Sequence, residues 1–518
     1  VWSLLGAGKD DAPAIGAPGV PAAKDGDDTV TPRKTLTHGG LRALAQKTVA
    51  DLNRLGIGRG DRVAIVLPNG PEMATAFLAI ACGATTAPLN PDYKADEFEF
   101  YLSDLGAKAL IVARGSASPA IAVAKKLSVP VYEIAAGTDE PAGSFTILGA
   151  DTASAKPATG GMAEASDIAL VLHTSGTTSR PKIVPLTQAN VAASARHIAA
   201  TLGLTPADRC LNIMPLFHIH GLIAAVLSSI GAGASVTCTP GFNALRFFAW
   251  VDEARPNWYT AVPTMHQAIL TRAGRNADTI ARNPLRFIRS SSSSLPPQVM
   301  AELEDVFEAP VIEAYGMTEA AHQMACNPLP PAPRKPGTVG IAAGPEVAIM
   351  DLDGKLLARG ETGEIVIRGP NVTPGYEANP TANAEAFTHG WFRTGDQGVM
   401  DGEGYLSITG RLKEIINRGG EKISPREVDE VLLDHDAVGQ VVTFAMPHPK
   451  LGEDVAAAVV LREGAACTEA ELRDFARQRL AEFKVPRKIL FLAEIPKGAT
   501  GKLQRIGLAE KLGLGAGA

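Results

Sequence analysis

Apolar residues recur at Leu41, Leu44, Ala45, Val49 and Leu52, a spacing that lines one face of a helix and predicts an amphipathic one. The turn Gly56 to Asp61 follows, and Arg62 to Leu67 then reads as a buried strand. The order repeats at Pro71 to Cys82 followed by Ala84 to Pro88, and at Ala95 to Leu105 followed by Ala109 to Val112. Helix and strand in alternation predict an α/β fold, with helices packed on a mainly parallel sheet. Ahead of this pattern, residues 6 to 37 are rich in Gly, Ala, Pro and Asp without a sustained period, which predicts loops with short edge strands.

The pattern changes after Gly410-Arg411-Leu412-Lys413. Ser424 with Pro425 in first helical position marks a helix start, Thr468 with Glu471 makes a capping box, and Val441 to Ala445 and Ala456 to Leu461 read as strands. These form a small α/β unit of roughly 100 residues. The boundary falls near Leu412, dividing the chain into residues 1–412 and 413–518.

Composition agrees with a division, since 518 residues exceed what one hydrophobic core usually organises. Hydrophobic residues at 46% and charged residues at 20% exclude a disordered chain. Lys plus Arg number 49 against 55 Asp plus Glu, a net charge of −6 without a cationic run, which argues against nucleic acid as a partner. Five cysteines lie far apart without a CxxC pair, against a disulfide framework or a cysteine zinc site and for a reducing compartment. No window reaches the roughly 18 to 20 apolar residues that span a bilayer. Val1 to Lys24 lacks a signal peptide's order of charge, apolar core and cleavage site. No membrane partner is expected, and the expected location is cytoplasmic.

Glycine strings need separating from real phosphate loops. Gly6-Ala7-Gly8-Lys9 lacks the spacer of a Walker loop, Gly56-Ile57-Gly58-Arg59-Gly60 precedes a strand instead of following one, and Gly231-Ala232-Gly233 fails the dinucleotide spacing. A different segment has the right context. Ile168 to Leu172 is an apolar strand that empties into His173-Thr174-Ser175-Gly176-Thr177-Thr178-Ser179-Arg180-Pro181-Lys182. Hydroxyls and backbone N–H groups there can donate to phosphate oxygens, and Lys182 adds a mobile charge. A polar surface loop uses the same residue types, and composition alone leaves both readings open.

That string resembles the phosphate loop of the adenylate-forming enzymes, the superfamily of acyl-CoA synthetases, luciferases and peptide-synthetase adenylation domains. Matching strings follow in family order: Glu313-Ala314-Tyr315-Gly316-Met317-Thr318-Glu319, Thr394-Gly395-Asp396, Gly410-Arg411-Leu412-Lys413-Glu414, Gly419-Gly420-Glu421-Lys422-Ile423-Ser424-Pro425 and Pro496-Lys497-Gly498-Ala499-Thr500-Gly501-Lys502. The resemblance implies an α/β fold with a large amino-terminal domain of mixed sheets flanked by helices and a small mobile α/β carboxyl-terminal domain. It implies ATP, Mg²⁺ and coenzyme A.

Roles follow from the resemblance residue by residue. Thr174, Ser175, Gly176, Thr177, Thr178 and Lys182 belong to the phosphate loop, and Glu313, Ala314, Tyr315 and Gly316 to the nucleotide site, where Tyr315 offers adenine a flat face. Thr318 contacts the α-phosphate and Glu319 holds Mg²⁺, as needed where charge builds on a phosphorus under in-line attack. Asp396 accepts from the ribose hydroxyls, with Arg411 as a second ribose or phosphate contact. Lys502 bridges the carboxylate and the α-phosphate, Lys413 is the hinge, and Gly419, Gly420 and Glu421 reach the site for thiol transfer when the small domain swings. Two positions depart from the family pattern. Ser179 and Ile183 replace glycines, and Ile183 requires an ordinary backbone conformation.

In this family the acid pocket lies around Pro215 to Gly221, around the serine run after Arg289, and just past Glu319. His218 and His220 would make a metal fragment only with further ligands, and none of suitable spacing is nearby. His218, Ser292 and His322 present donors suited to a second carboxylate, where a fatty or aromatic acid would want apolar or small lining. The alternative for His322 is a core histidine satisfied by backbone carbonyls. Phe217-His218-Ile219-His220-Gly221, Tyr259 to Thr264 and Asn327-Pro328-Leu329-Pro330 resemble the oxalyl-CoA synthetase branch, which implies a small carboxylic acid, oxalate first. Malonate or methylmalonate comes second, because Ala314 stands where that branch carries Arg. An amino-acid adenylation domain would need an Asp near Phe217 that is missing, and a non-catalytic adenylate binder would have no use for Lys502 and Glu319.

Overall fold

Thr37 accepts a hydrogen bond from the Gly40 N–H at 3.1 Å and starts the helix His38–Arg54, whose Leu41, Ala45, Val49 and Leu52 are buried. The computed structural model describes residues 1–21, 30–137, 139–174, 181–496 and 504–515. The strand Arg62–Val66, the helix Pro71–Ile80, the strand Thr85–Pro88, the helix Ala95–Leu105 and the strand Ala109–Ala113 follow in the predicted order. Gly106, at φ 55°, closes the Ala95–Leu105 helix in a left-handed conformation that glycine adopts without penalty.

Among the described residues, these strands belong to a seven-stranded sheet. Its order is Lys182–Thr187, Ile168–Thr174, Thr85–Pro88, Arg62–Val66, Ala109–Ala113, Val131–Ala135 and Thr146–Ile147, parallel except at its two edges. A nine-stranded sheet runs Ile341–Ala342, His322–Cys326, Val311–Met317, Phe287–Ser290, Trp258–Ala261, Arg209–Asn212, Ser235–Cys238, Pro13–Gly16 and Leu36–Thr37. It is parallel from Val311–Met317 through Pro13–Gly16, so the segments after Asn212, Ala261, Ser290 and Met317 leave from one edge. The carboxyl ends of parallel strands are where open α/β sheets bind ligands. A third sheet pairs Glu346–Met350, Thr362–Arg368, Trp391–Met400, Phe387–Thr388 and Leu406–Arg411 antiparallel.

One expectation for the amino-terminal segment is corrected. Pro13–Gly16 is an inner strand, flanked by Ser235–Cys238 and Leu36–Thr37, with Ala14 and Ile15 fully buried. Four residues are too few for an alternation to register, and a strand buried on both faces does not alternate in any case.

The small domain has its own sheet, in which the long hairpin Val438–His448 and Gly452–Leu461 is joined by Ile416–Arg418, Glu421–Ile423 and Lys488–Phe491. Both hairpin arms outrun the apolar stretches that predict them, because backbone pairing continues through the polar residues beside the turn. Its apolar clusters begin at Ile416 and hold no residue of the large domain, whose clusters end at Ile408. Described contacts between the domains include polar ones: Arg426 Nη1 donates to the Ile408 carbonyl at 2.6 Å, and Gln298 bonds Asp434. The Thr468–Glu471 capping box forms in both directions. The helix Pro425–Leu433 also begins as predicted, but Ser424 does not cap it. Its hydroxyl donates instead to the Thr409 carbonyl on the last strand of the large domain. Among the described residues no helix is long and apolar enough to cross a membrane.

Candidate active site

The strand Val311–Met317 ends in the short turn Thr318–Ala320 and returns antiparallel as His322–Cys326, with Met317 opposite His322. Gly316 permits this approach, since a Cβ there would lie 1.8 Å from the His322 carbonyl oxygen. Ala321 at φ 47° and His322 at φ 105° hold the reversal in the left-handed region, uncommon for residues with side chains. Glu319 is thereby buried at 6% exposure, with half-buried Thr318 beside it. Its Oε1 accepts a hydrogen bond from the Tyr376 hydroxyl at 2.8 Å. Burial raises the Glu319 carboxyl above its ordinary range, opposed by a backbone N–H, by that hydroxyl and by the charges of Arg411 and Lys182. The Lys182 ammonium sits 4.4 Å from the centre of the Tyr376 ring, and sheet register places Lys182 opposite Thr174 at the end of the Ile168–Thr174 strand. Ile183 lies within the strand Lys182–Thr187, in ordinary extended pairing with His173.

Asp396 and Arg411 stand opposite each other on neighbouring strands of the third sheet. Arg411 Nε donates to Asp396 Oδ1 at 2.7 Å, and the Tyr315 hydroxyl donates to Oδ2 at 2.5 Å. The Tyr315 ring is buried among Ala320, Met324 and Ile365, and burial beside Asp396 pushes its phenol well above the ordinary range. Asp396 is therefore a carboxylate aimed by two donors. Glu313 and Ala314 turn to the serine run instead. Glu313 accepts from the Leu295 N–H at 2.9 Å, and the Ala314 carbonyl accepts from the Ser291 hydroxyl at 2.8 Å. Burial pushes the Glu313 carboxyl up to about 7.

At the same edge of the nine-stranded sheet the acid-pocket candidates converge. His220 begins a wide-turned π-helix, His220–Leu227, and is fully buried. Its Nδ1 is 3.0 Å from Ser292 Oγ, its Nε2 is 2.6 Å from Thr260 Oγ1, and its ring stacks on His322 with centroids 5.0 Å apart. His218 Nδ1 accepts from the His220 N–H at 3.4 Å. Ser292, at φ 74° and half-buried, turns the chain away from the strand Phe287–Ser290. A cavity of about 140 Å³ lies beside it, between Ser293 and Ser294 of the large domain and Arg426, Asp429 and Arg505 of the small one.

The chain matches the AMP-binding enzyme family over residues 16–377 and that family's C-terminal domain over residues 427–502. It belongs to the AMP-binding enzymes. It is similar to the oxalate–CoA ligase of Arabidopsis thaliana, 48% identical over 484 residues that cover 92% of this chain and 93% of that one. The oxalate–CoA ligase of Saccharomyces cerevisiae is 44% identical over 475 residues, covering 87% of each chain. Among solved structures, ATP-bound MatB from Rhodopseudomonas palustris has a TM-score of 0.86 at 29% identity, covering 98% of both chains.

For an AMP-binding enzyme, one residue here could hold a cation together with phosphate. Glu319 is a buried carboxylate on which Lys182 and Arg411 act through space without an ion-pair contact among the described residues. A single carboxylate that shares a divalent cation with substrate phosphates suits Mg²⁺, which keeps waters and seldom needs an all-protein cage. Ser175, Gly176, Thr177, Thr178 and Lys502 lie outside the described residues. Lys413 is exposed between the domains, and Gly419, Gly420 and Glu421 form the exposed tip of the hairpin Ile416–Arg418 and Glu421–Ile423. Their described hydrogen bonds stay within the small domain.

Several residues of this AMP-binding site carry no mark in the sequence. Tyr376 holds Glu319, and the preceding segment ties the site together: the Thr373 N–H donates to the Glu319 carbonyl at 2.7 Å, and Asn371 Nδ2 donates to the Ala320 carbonyl at 2.8 Å. A lone Tyr after Pro374-Gly375 looks like any turn residue. Gln323 is equally silent, its contact with Arg289 lying 34 positions away.

Proposed function

We propose that this AMP-binding enzyme is an ATP-dependent oxalate–CoA ligase that works in two steps. An oxalate oxygen attacks the α-phosphorus of ATP to give oxalyl-AMP and pyrophosphate. The coenzyme A thiol then attacks the oxalyl carbonyl, losing its proton and expelling AMP, to give oxalyl-CoA. The observation that carries the reading is the acid pocket, where Ser292, His220 and His322 meet in place of an apolar lining. The names of the relatives at 48% and 44% identity support it.

The residues divide the work. Asp396, aimed by Tyr315 and Arg411, takes the ribose hydroxyls. Thr318, Lys182 and the loop from Thr174 to Thr178 hold phosphate oxygens, and Glu319 holds Mg²⁺, which when bound neutralises phosphate charge. Lys502 brings its charge to the acid and the α-phosphate in the first step only. Rotation at Lys413 then exchanges it for Gly419 to Glu421. We place the domain boundary at Leu412, supported by the break between apolar clusters from Ile408 to Ile416. The five free cysteines support a reducing, cytoplasmic setting.

The test is a panel of small acids assayed for AMP formation with and without coenzyme A. Oxalate should give oxalyl-CoA, AMP and pyrophosphate in the presence of Mg²⁺. ADP and phosphate as products would overturn the adenylation chemistry, and a preference for malonate or acetate would overturn the choice of acid.

A further inference from the structure

Arg289 lies on the strand Phe287–Ser290, just before the serine run, and none of its surface meets solvent. Guanidinium does not lose its proton in proteins, so a full positive charge is buried here, a costly arrangement unless an opposite charge arrives. No carboxylate pairs with it among the described residues; the ionisable groups acting on it are Cys326 and Cys210, thiols that burial keeps protonated. Its polar neighbours are a histidine, a threonine and a glutamine. Nη1 lies 3.4 Å from His220 Nε2 and 3.4 Å from Thr260 Oγ1, and Nη2 lies 3.4 Å from Gln323 Oε1.

This arrangement settles where the His220 proton sits. Arg289 can only donate, so a proton on Nε2 would face a cation. Nε2 therefore accepts, taking the Thr260 hydroxyl hydrogen at 2.6 Å, and the ring proton resides on Nδ1, which donates to Ser292 Oγ at 3.0 Å. The Ser292 hydroxyl then has its own hydrogen to donate onward. A second proton on His220 would be opposed by Arg289 on one side and by any charge on the stacked His322 on the other. His218, on the same segment, accepts from the His220 backbone N–H. We infer that Arg289 is a positioning residue for the acid: it holds His220 as the neutral Nδ1–H tautomer and supplies the positive potential met by the second carboxylate at Ser292. This rests on the oxalate reading for the identity of the acid and on the geometry alone for the tautomer.

The experiment compares wild type, Arg289→Gln and Arg289→Lys with oxalate and with acetate, and follows the histidine ring nitrogens of the wild-type protein by ¹⁵N NMR. Loss of this positive charge predicts that Arg289→Gln loses about fiftyfold in kcat/KM for oxalate, about 2.4 kcal/mol at about 1.4 kcal/mol per tenfold. Acetate should lose far less, and Arg289→Lys should recover a large part of the oxalate activity. In wild type the His220 proton should stay on Nδ1 from about pH 5.5 to about pH 8.5. Equal losses for oxalate and acetate, no recovery with Lys, or a His220 that carries its proton on Nε2 or titrates near about pH 6.5 would overturn the inference. If the variants do not fold, the wild-type spectrum still decides the tautomer. A wild type inactive on oxalate but with the Nδ1–H form would refute the oxalate reading and with it the carboxylate role, leaving only the tautomer assignment standing.

Discussion

Replacing Tyr376 by Phe removes one hydroxyl and leaves the ring beside which the Lys182 ammonium sits. That hydroxyl is 2.8 Å from Glu319 Oε1, and Glu319 is 6% exposed, so water cannot readily replace the lost donor. A hydrogen bond to a charged group is worth roughly 1.5–3 kcal/mol, which predicts a loss of about 10- to 150-fold in kcat/KM for Mg·ATP during adenylation. The loss should grow as pH falls. Burial already raises the Glu319 carboxyl and the Tyr376 hydroxyl opposes that rise, so its removal raises the carboxyl further. Only the ionised form holds a cation, and the acidic limb of the profile therefore moves to higher pH. Pyrophosphate release with oxalate across the pH range measures this, and thiol transfer from supplied acyl-adenylate is the internal control. A uniform loss at every pH, with the acidic limb unmoved, would refute the reasoning and reduce Tyr376 to a packing residue.

Lys502→Ala should block adenylate formation while largely sparing thioesterification of supplied acyl-adenylate; equal loss in both half-reactions would count against domain rotation. Glu313→Gln should raise the melting temperature at about pH 8 and not near about pH 4.5, because the folded carboxyl is pushed up to about 7 from its ordinary 4.5. Between those values the folded chain binds more protons than the unfolded one, so this group's stability is full below the ordinary value and is lost as pH rises, by on the order of 3 kcal/mol. Gln keeps an acceptor for the Leu295 N–H, and a gain independent of pH would assign the effect to packing.

Much of the large domain was legible because helix and strand periods differ and punctuate each other. The helix around Leu41 to Leu52 and the strand around Arg62 to Val66 fall where the apolar spacing puts them. Pro13–Gly16 escaped, since a short strand buried on both faces has no period to read. Ser424 shows a subtler limit: its sequence context marks a helix cap, but a carbonyl from the other domain takes the hydroxyl. In the site, Glu319, Asp396 and His322 were found through strings of neighbouring residues. Tyr376 and Gln323 act across 57 and 34 positions, and such distances leave no trace in local pattern.

On the proposed reading, the reversal at Thr318–Ala320 ties recognition of the acid to recognition of the nucleotide. Glu319 and His322 are three residues apart, yet one joins the Tyr376 and Lys182 side of the site and the other stacks on His220 in the acid pocket. The left-handed conformations of Ala321 and His322 leave that short segment little freedom to adjust one end alone. Gly316 brings the two strands together, and Asn371 bonds the carbonyls of both Ala320 and Gln323, so the turn is held on each side of its apex. A displacement that spoils the Glu319 position must therefore also tilt the His322 ring against His220. Because strain and hydrogen bonds fix the same few residues, on the proposed reading the phosphate chemistry and the choice of acid are set by one piece of backbone.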